Sequence, residues 1–507
     1  MDRRHFLQVA SGLSLGGLSL SSTALAYEKL LADDPMRQAK VDFDAALIKN
    51  PGLIGFSSVN RNFPPQELIL EGHLPKDLQG HFYRNGPAIH ERGQQRYQHL
   101  FEGDGMAQQF TLANNTITHQ GKLIRTPKFI EEEQAQRFLY SGTDSQLQKS
   151  KPIDNPDTIN TANTSLLDVQ NEMWALWEGG SPVAIDKQTL ETRGLVNLGE
   201  GSRFGNTLKG LAFSAHPRID ANGNIWNFGL SLDGQIVVYQ LNSKGTVKNV
   251  GLIDVNYQGR FIHDFLVTTK HILLILPSLT SDRNIEGLFS SIRFDAKQAM
   301  EVLLIDKQTL NMKKRYQLDA GFVFHYGNAW EDKQGTIRFD ACLYPNANSL
   351  HQFSELMSGN TLEDNSSPSV LFQLNPDGTS SRQILVNSNS EFPIVDPQYS
   401  GLRNRYLYTL GTTGSELWFD TLRQLDIESG KFVEYTYGSD YLVEEHLFVN
   451  PSNQSDKGYL IGTALHVPSK RTCVNVFAES NIVAGPICRA WLPYHLPIGF
   501  HGKFITS

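Results

Sequence analysis

The chain has 507 residues, of which 40% are hydrophobic and 19% charged, so it is globular and can bury a large core. A formal charge of −8 without any block of like charge argues against nucleic acid as a partner. The length allows two or three domains, or one large all-β domain such as a barrel or propeller.

Residues 1–26 read as an export signal rather than as part of the fold. They have a basic start at Arg3 and Arg4, an apolar glycine-rich middle and an A-x-A end at Ala24 and Ala26. The run is too short, and too rich in Gly and Ser, for a membrane span. Arg3-Arg4 followed by Phe6-Leu7 has the twin-arginine pattern, although Asp2 and Gln8 stand where that pattern usually has Ser/Thr and Lys. This predicts export through the twin-arginine machinery, cleavage near Ala26 and a periplasmic mature protein.

Residues 27–66 are mixed, with helix-compatible stretches, and read as an N-terminal arm. From residue 67 to 507 short β-rich runs alternate with turn signals, and long amphipathic helices are scarce. Ile185-Asp186-Lys187-Gln188-Thr189-Leu190 recurs as residues 305–310, and Gly/Asn-rich turns recur at 220–224, 242–245, 332–335 and 375–378. Gly and Asn supply the positive φ of tight hairpins. Repeated antiparallel sheets with no linker between them predict one β-propeller. Less regular stretches at 127–160, 279–298 and 346–366 predict insertions gathered as a cap on one face. Cys342, Cys473 and Cys488 allow one bridge at most, Cys473–Cys488, or three buried thiols.

Four histidines sit in separate apolar segments: His216 in FSAHPRID, His263 in FIHDFLV, His325 in FVFHYGNAW and His501 in PIGFHGKF. Taken singly, each of the chain's 15 histidines is more often a surface or hydrogen-bonded core residue than a ligand. Brought together at strand ends, neutral imidazoles would suit a redox metal with open positions.

The motifs GHFYRNGP (80–87), FEGDGM (101–106), NTANTS (160–165), ALWEGGSP (175–182), EFP (391–393) and EHLFV (445–449), in order with the four histidine segments, carry a further reading. With them the chain resembles the carotenoid cleavage oxygenase family over nearly all of its mature length. The resemblance implies an all-β, seven-bladed β-propeller with a loop-and-helix dome over the iron-bearing face. It implies one Fe(2+) per chain held by His216, His263, His325 and His501, with O2 as co-substrate. It places Glu178, Glu391 and Glu445 on the imidazole N–H groups, the choice of Glu445 over the adjacent Glu444 resting on the motif match, and Thr164 over an open iron position. Phe101 and Trp177 are candidates to line a substrate tunnel, with plain core packing as the alternative, and 287–289 and 138–140 are candidate entrance lips or, equally, buried dome packing. The implied reaction is cleavage of a conjugated C=C bond to two carbonyl products.

Members that cleave stilbenes carry Lys where Trp177 stands, which favours a carotenoid or apocarotenoid, an apolar polyene met through peripheral membrane contact. A stilbene- or phenylpropenoid-cleaving dioxygenase, a non-oxidative isomerase and a non-catalytic lipid-binding propeller are the alternatives.

Overall fold

In the computed structural model, residues 34–362, 366–451 and 458–506 are described; residues 1–26, expected from the sequence to be an export signal, lie outside them. Seven antiparallel sheets of four or five strands stand around one axis. The strands at the axis, one end of each sheet, are Ser165–Val169, Arg218–Ile219, Leu266–Val267, Phe322–Val323, Glu391–Ile394, Tyr441–Val449 and His501–Thr506. The repeated hairpins therefore form a seven-bladed propeller.

Both chain ends close the ring. His501–Thr506 pairs with Gly80–Ile89 in the first blade, and Ile69–Gly72 pairs with Cys488–Trp491 in the seventh. The C-terminal strand thereby reaches the axis with His501 opposite Asn85.

Each blade packs between two others, so its inner strands are buried on both faces and read as unbroken apolar runs rather than alternating ones. In His271–Leu276, every residue after His271 is buried. The outer strand Met312–Leu318 instead exposes Lys313 and Arg315, which guard a free edge against pairing with another chain.

The recurrent IDKQTL turn has one physical cause. Asp186 Oδ1 accepts from the N–H of Gln188 and Thr189, both at 2.9 Å, and Asp306 does the same for Gln308 and Thr309 at 3.0 and 2.9 Å. These Asx bonds hold Leu190 and Leu310 at φ of 58° and 56°, values that side chains seldom adopt.

The three irregular stretches meet above the axis. They carry the helices Pro127–Ala135, Leu288–Ser291 and Asn348–Met357. Carboxylates tie the first two together: buried Glu102 accepts from the N–H of Asp144 and Ser145 at 2.7 and 2.8 Å, and half-buried Asp144 accepts from Ser290 N and Oγ, both at 2.8 Å.

The helix Pro35–Lys49, capped by Asp34, packs on this dome by Met36, Ala39 and Phe43, with the Arg96 guanidinium 3.4 Å from the centre of the Phe43 ring. All three cysteines are buried free thiols. The bridge that their number allowed is not formed, because the strand register sets Cys473 against Trp491 and Cys488 against Val476.

Candidate metal centre and substrate cavity

Every blade sends a group to the dome end of the axis. His501 opens the innermost strand of the first, and Thr164 precedes that of the second, which also supplies Glu178. His216, His263 and His325 stand beside those of the third, fourth and fifth, while Glu391 and Glu445 belong to those of the sixth and seventh. The fifth blade makes room by a break. Phe322–Val323 and Ala329–Glu331 pair with the same neighbour, Ile337–Tyr344, and His325 lies in the gap.

The four imidazoles converge. Nε2 of His263 lies 3.0 Å from that of His216 and 3.1 Å from that of His325, which is 3.2 Å from that of His501. All four ligand atoms lie within 4.8 Å of one another. Three Nδ1 atoms face carboxylates: His263 pairs closely with Glu178, His325 with Glu391 at 2.5 Å and His501 with Glu445 at 2.9 Å. A carboxylate only accepts, so each Nδ1 carries the proton and each Nε2 lone pair points to the common centre. His216 has no carboxylate partner among the described residues; its backbone N–H donates to Ser214 Oγ at 3.1 Å.

Burial, then the neighbouring imidazoles, hold His216 and His325 well below the ordinary histidine range, which keeps their lone pairs free. At His263 burial also pulls downward, but Glu178 outweighs it and the net shift is upward. Burial pushes Glu391 up to about 7 against the N–H of Phe392, which donates at 2.8 Å. Buried carboxylates around neutral imidazoles form a cradle whose missing charge a divalent cation supplies. Nitrogen donors of this kind suit iron, cobalt, nickel, copper or zinc better than magnesium or calcium.

The match to E-x-x-F-V picks Glu445 over Glu444, and the alternation of side chains along the strand Tyr441–Val449 sends the two neighbours in opposite directions. Glu445 accepts from His501 and from Gly502 N at 2.8 Å, whereas Glu444 pairs with buried Arg84 and accepts from Thr463 Oγ1 at 2.7 Å.

One lock escaped sequence reasoning. Arg218, two residues after His216, pairs with Asp264, next to His263, at 2.5 Å. It also donates to the carbonyls of Phe265, Tyr326 and Gly327, at 2.9, 2.8 and 3.1 Å. Asp264 in turn accepts from Tyr326 N at 3.0 Å. Three ligand segments are thus bolted together behind the centre. The signal was present, a charged residue one or two places after two of the histidines, but only the fold shows that the charges meet.

Above the imidazoles lies a cavity of about 1690 Å³, lined among others by Phe101, Thr164, Trp177, Phe261, Phe289, Phe353, Trp418 and Phe500. The Phe101 ring runs nearly parallel to His263, with centroids 6.4 Å apart. Thr164 donates its hydroxyl hydrogen to Asn163 Oδ1 at 3.0 Å, leaving no proton to give the cavity. The segment 287–289 lines the cavity, as an entrance lip must. The other expected lip does not: Phe138, Leu139 and Tyr140 are buried away from it, with Phe138 packed on Tyr97 at 4.2 Å. An apolar run of that kind serves dome packing as readily as a cavity mouth. Exposed lining residues occur on two sides, near Leu211, Leu232 and Arg283 and again near Thr361 and Glu416.

The sequence pattern described as RPE65, retinal pigment epithelial membrane protein, matches residues 56–506. The chain is 29% identical over 465 residues to an apocarotenoid-15,15'-oxygenase of Synechocystis sp., covering 86% of this chain and 92% of that protein. It is 26% identical over 515 residues to a carotenoid 9,10(9',10')-cleavage dioxygenase of Pisum sativum, with 92% of each covered. Cobalt-substituted Synechocystis apocarotenoid oxygenase superposes with a TM-score of 0.80 at 26% identity, over 90% of this chain and 99% of that one. The matched span takes in all four histidines and all seven blades, and the chain therefore belongs to the retinal pigment epithelial membrane protein family, that of the carotenoid cleavage oxygenases.

Proposed function

We propose that this chain is an Fe(2+)-dependent dioxygenase that cleaves a conjugated C=C bond of an apocarotenoid or carotenoid. The observation that carries the reading is the convergence of four Nε2 atoms beneath an aromatic cavity. In this reading His216, His263, His325 and His501 hold the iron. Bound there, Fe(2+) supplies the activation of O2. Glu178, Glu391 and Glu445 keep the Nδ1 protons in place and the rings in orientation. Phe101 and Trp177 exclude water and lay the polyene across the site, so that the depth of insertion selects the bond. Thr164 narrows the space beside the metal without donating a proton. The alkene carbons each take one oxygen atom of O2, the bond between them breaks, and two carbonyl products leave.

Mature protein loaded anaerobically with Fe(2+) and then given ¹⁸O₂ tests this with a panel of carotenoids, apocarotenals and stilbenes. The expected result is about one iron per chain and two labelled carbonyl products from a polyene. Labelled aldehydes from a stilbene alone would overturn the substrate reading from Trp177, a rearranged product without label would make the protein an isomerase, and iron without any product would leave a lipid-binding propeller.

The exposed apolar side chains Leu211 and Leu232 at one side of the cavity support peripheral membrane contact, through which an insoluble polyene enters. Leu232→Asp is expected to weaken flotation with phospholipid vesicles; unchanged flotation would count against that mouth. Export by the twin-arginine machinery to the periplasm is the reading supported by Arg3 and Arg4 before an apolar run that ends in Ala24 and Ala26. Replacing both with Lys should hold the protein in the cytoplasm, and normal fractionation of that variant would refute the route.

A further inference from the structure

Two permanent cations line the cavity, Arg260 and Arg283. Neither forms an ion pair among the described residues, although Asp154 and Glu286 also line the cavity. The Arg260 Nε is buried and without a hydrogen-bond partner. Burial, then the like charge of Arg283, lowers the affinity of Arg260 for its proton, and Asp233 offsets only part of this. Two neighbouring guanidinium groups that repel each other gain when an anion arrives between them.

The backbone holds Arg260 in place at a cost. Its φ is +59°, a conformation a long side chain seldom takes. Gly259 fixes the turn, since a Cβ there would lie 2.2 Å from the Tyr257 hydroxyl oxygen. That hydroxyl donates to the carbonyl of Phe261 or of Pro277, each at 3.2 Å. The strained turn lies three residues before His263, so it fixes where the Arg260 side chain leaves the backbone relative to a ligand segment. Leu230, Leu232 and Leu288 give this side apolar surface beside Ser231, Gln235 and Glu286, while the far side offers Ser388 and Thr413 and carries Glu416 but no cation.

We propose that Arg260 and Arg283 form an oxyanion subsite that grips the oxygenated end of the polyene, a carboxylate most strongly and a carbonyl oxygen less so. The hydrocarbon chain runs inward from it to the histidines. This rests on the reading of the chain as a polyene-cleaving enzyme and sharpens it: the preferred substrate has one oxidised end, and the distance from that end to the metal selects the bond.

The test is binding by iron-loaded mature protein without oxygen, followed by quenching of tryptophan fluorescence. The probes are an apocarotenoic acid, the matching apocarotenal and a hydrocarbon polyene of similar length. R260Q is expected to weaken acid binding by about tenfold or more and hydrocarbon binding by less than about twofold. R283Q, at an exposed residue, should act in the same direction and keeps the question answerable if R260Q does not fold. Equal loss for all three probes, or no loss in either variant, would overturn the subsite. So would variants that lose binding to phosphatidylglycerol vesicles while keeping the preference for the acid, because the oxyanion would then be a lipid phosphate. If the wild type binds none of the three polyenes, it is the enzyme reading that fails, not the choice of arginines.

Discussion

His263→Ala abolishes both metal retention and polyene cleavage while the propeller stays folded. The ring sits at the middle of the cluster, 3.0 and 3.1 Å by Nε2 from two other imidazoles, so its loss opens the site on two sides. Residues that only orient a ligand typically cost about 10–100-fold on removal, and loss of a ligand itself should exceed that. Stability should change little. The ring faces a cavity that is already hollow, and the Glu178 side chain released by the substitution is 22% exposed and can be solvated. The blades draw their cohesion from ladders and apolar faces elsewhere, such as Leu273, Leu274 and Ile275. Metal content, turnover and far-ultraviolet circular dichroism on one preparation decide the matter. An iron-replete, fully active variant would remove His263 from the centre.

The propeller was legible because its turns repeat. An Asp that caps its own turn needs no tertiary help, so IDKQTL announces a hairpin wherever it occurs. The four histidines and three glutamates were legible through family motifs, not through spacing, for they lie on separate blades and meet only when the ring closes. That closure was not legible. Nothing local says that His501–Thr506 returns to Gly80–Ile89, because the pairing is made by strands from opposite ends of the chain.

The Arg218–Asp264 lock was not legible for the same reason, nor was the docking of Pro35–Lys49, which buries only Met36, Ala39 and Phe43 of its apolar residues. The segments 138–140 and 287–289 look alike as sequence. Only the position of Asp144 and Ser290, which draw the second to the cavity rim, tells them apart.

Glu444→Ala destabilises the protein more than Glu445→Gln does, although the two residues are neighbours. Both carboxylates are buried; Glu444 pairs directly with Arg84, whereas Glu445 accepts from His501 and acts on Arg84 only through its charge. Glu444 neutralises Arg84, whose side chain is 2% exposed and whose guanidinium burial pulls its pKa down to about 9. Thr463 joins the pair by accepting from Arg84 Nη1 at 2.5 Å and donating to Glu444 at 2.7 Å. Removing Glu444 strands a buried cation, a loss of about 3–5 kcal/mol. The guanidinium has no room to move out, since even a Cβ on Gly499 would come within 2.3 Å of its Nη2. The paired change Arg84→Met with Glu444→Leu should recover most of the stability, because it removes both charges at once.

Glu445→Gln keeps the shape but only one of the two oxygens that accept from His501 Nδ1 and Gly502 N, so one N–H loses its acceptor, a cost of about 1–3 kcal/mol that leaves the propeller folded. It also loses the charge behind His501, and turnover should fall by about 10–100-fold with iron content reduced or retained only weakly. Thermal unfolding and turnover measured on the two single variants and the double variant separate the cases. Equal midpoints for Glu444→Ala and wild type would mean that Arg84 finds another partner. Full activity in Glu445→Gln would mean that the carboxylate charge does not act through His501.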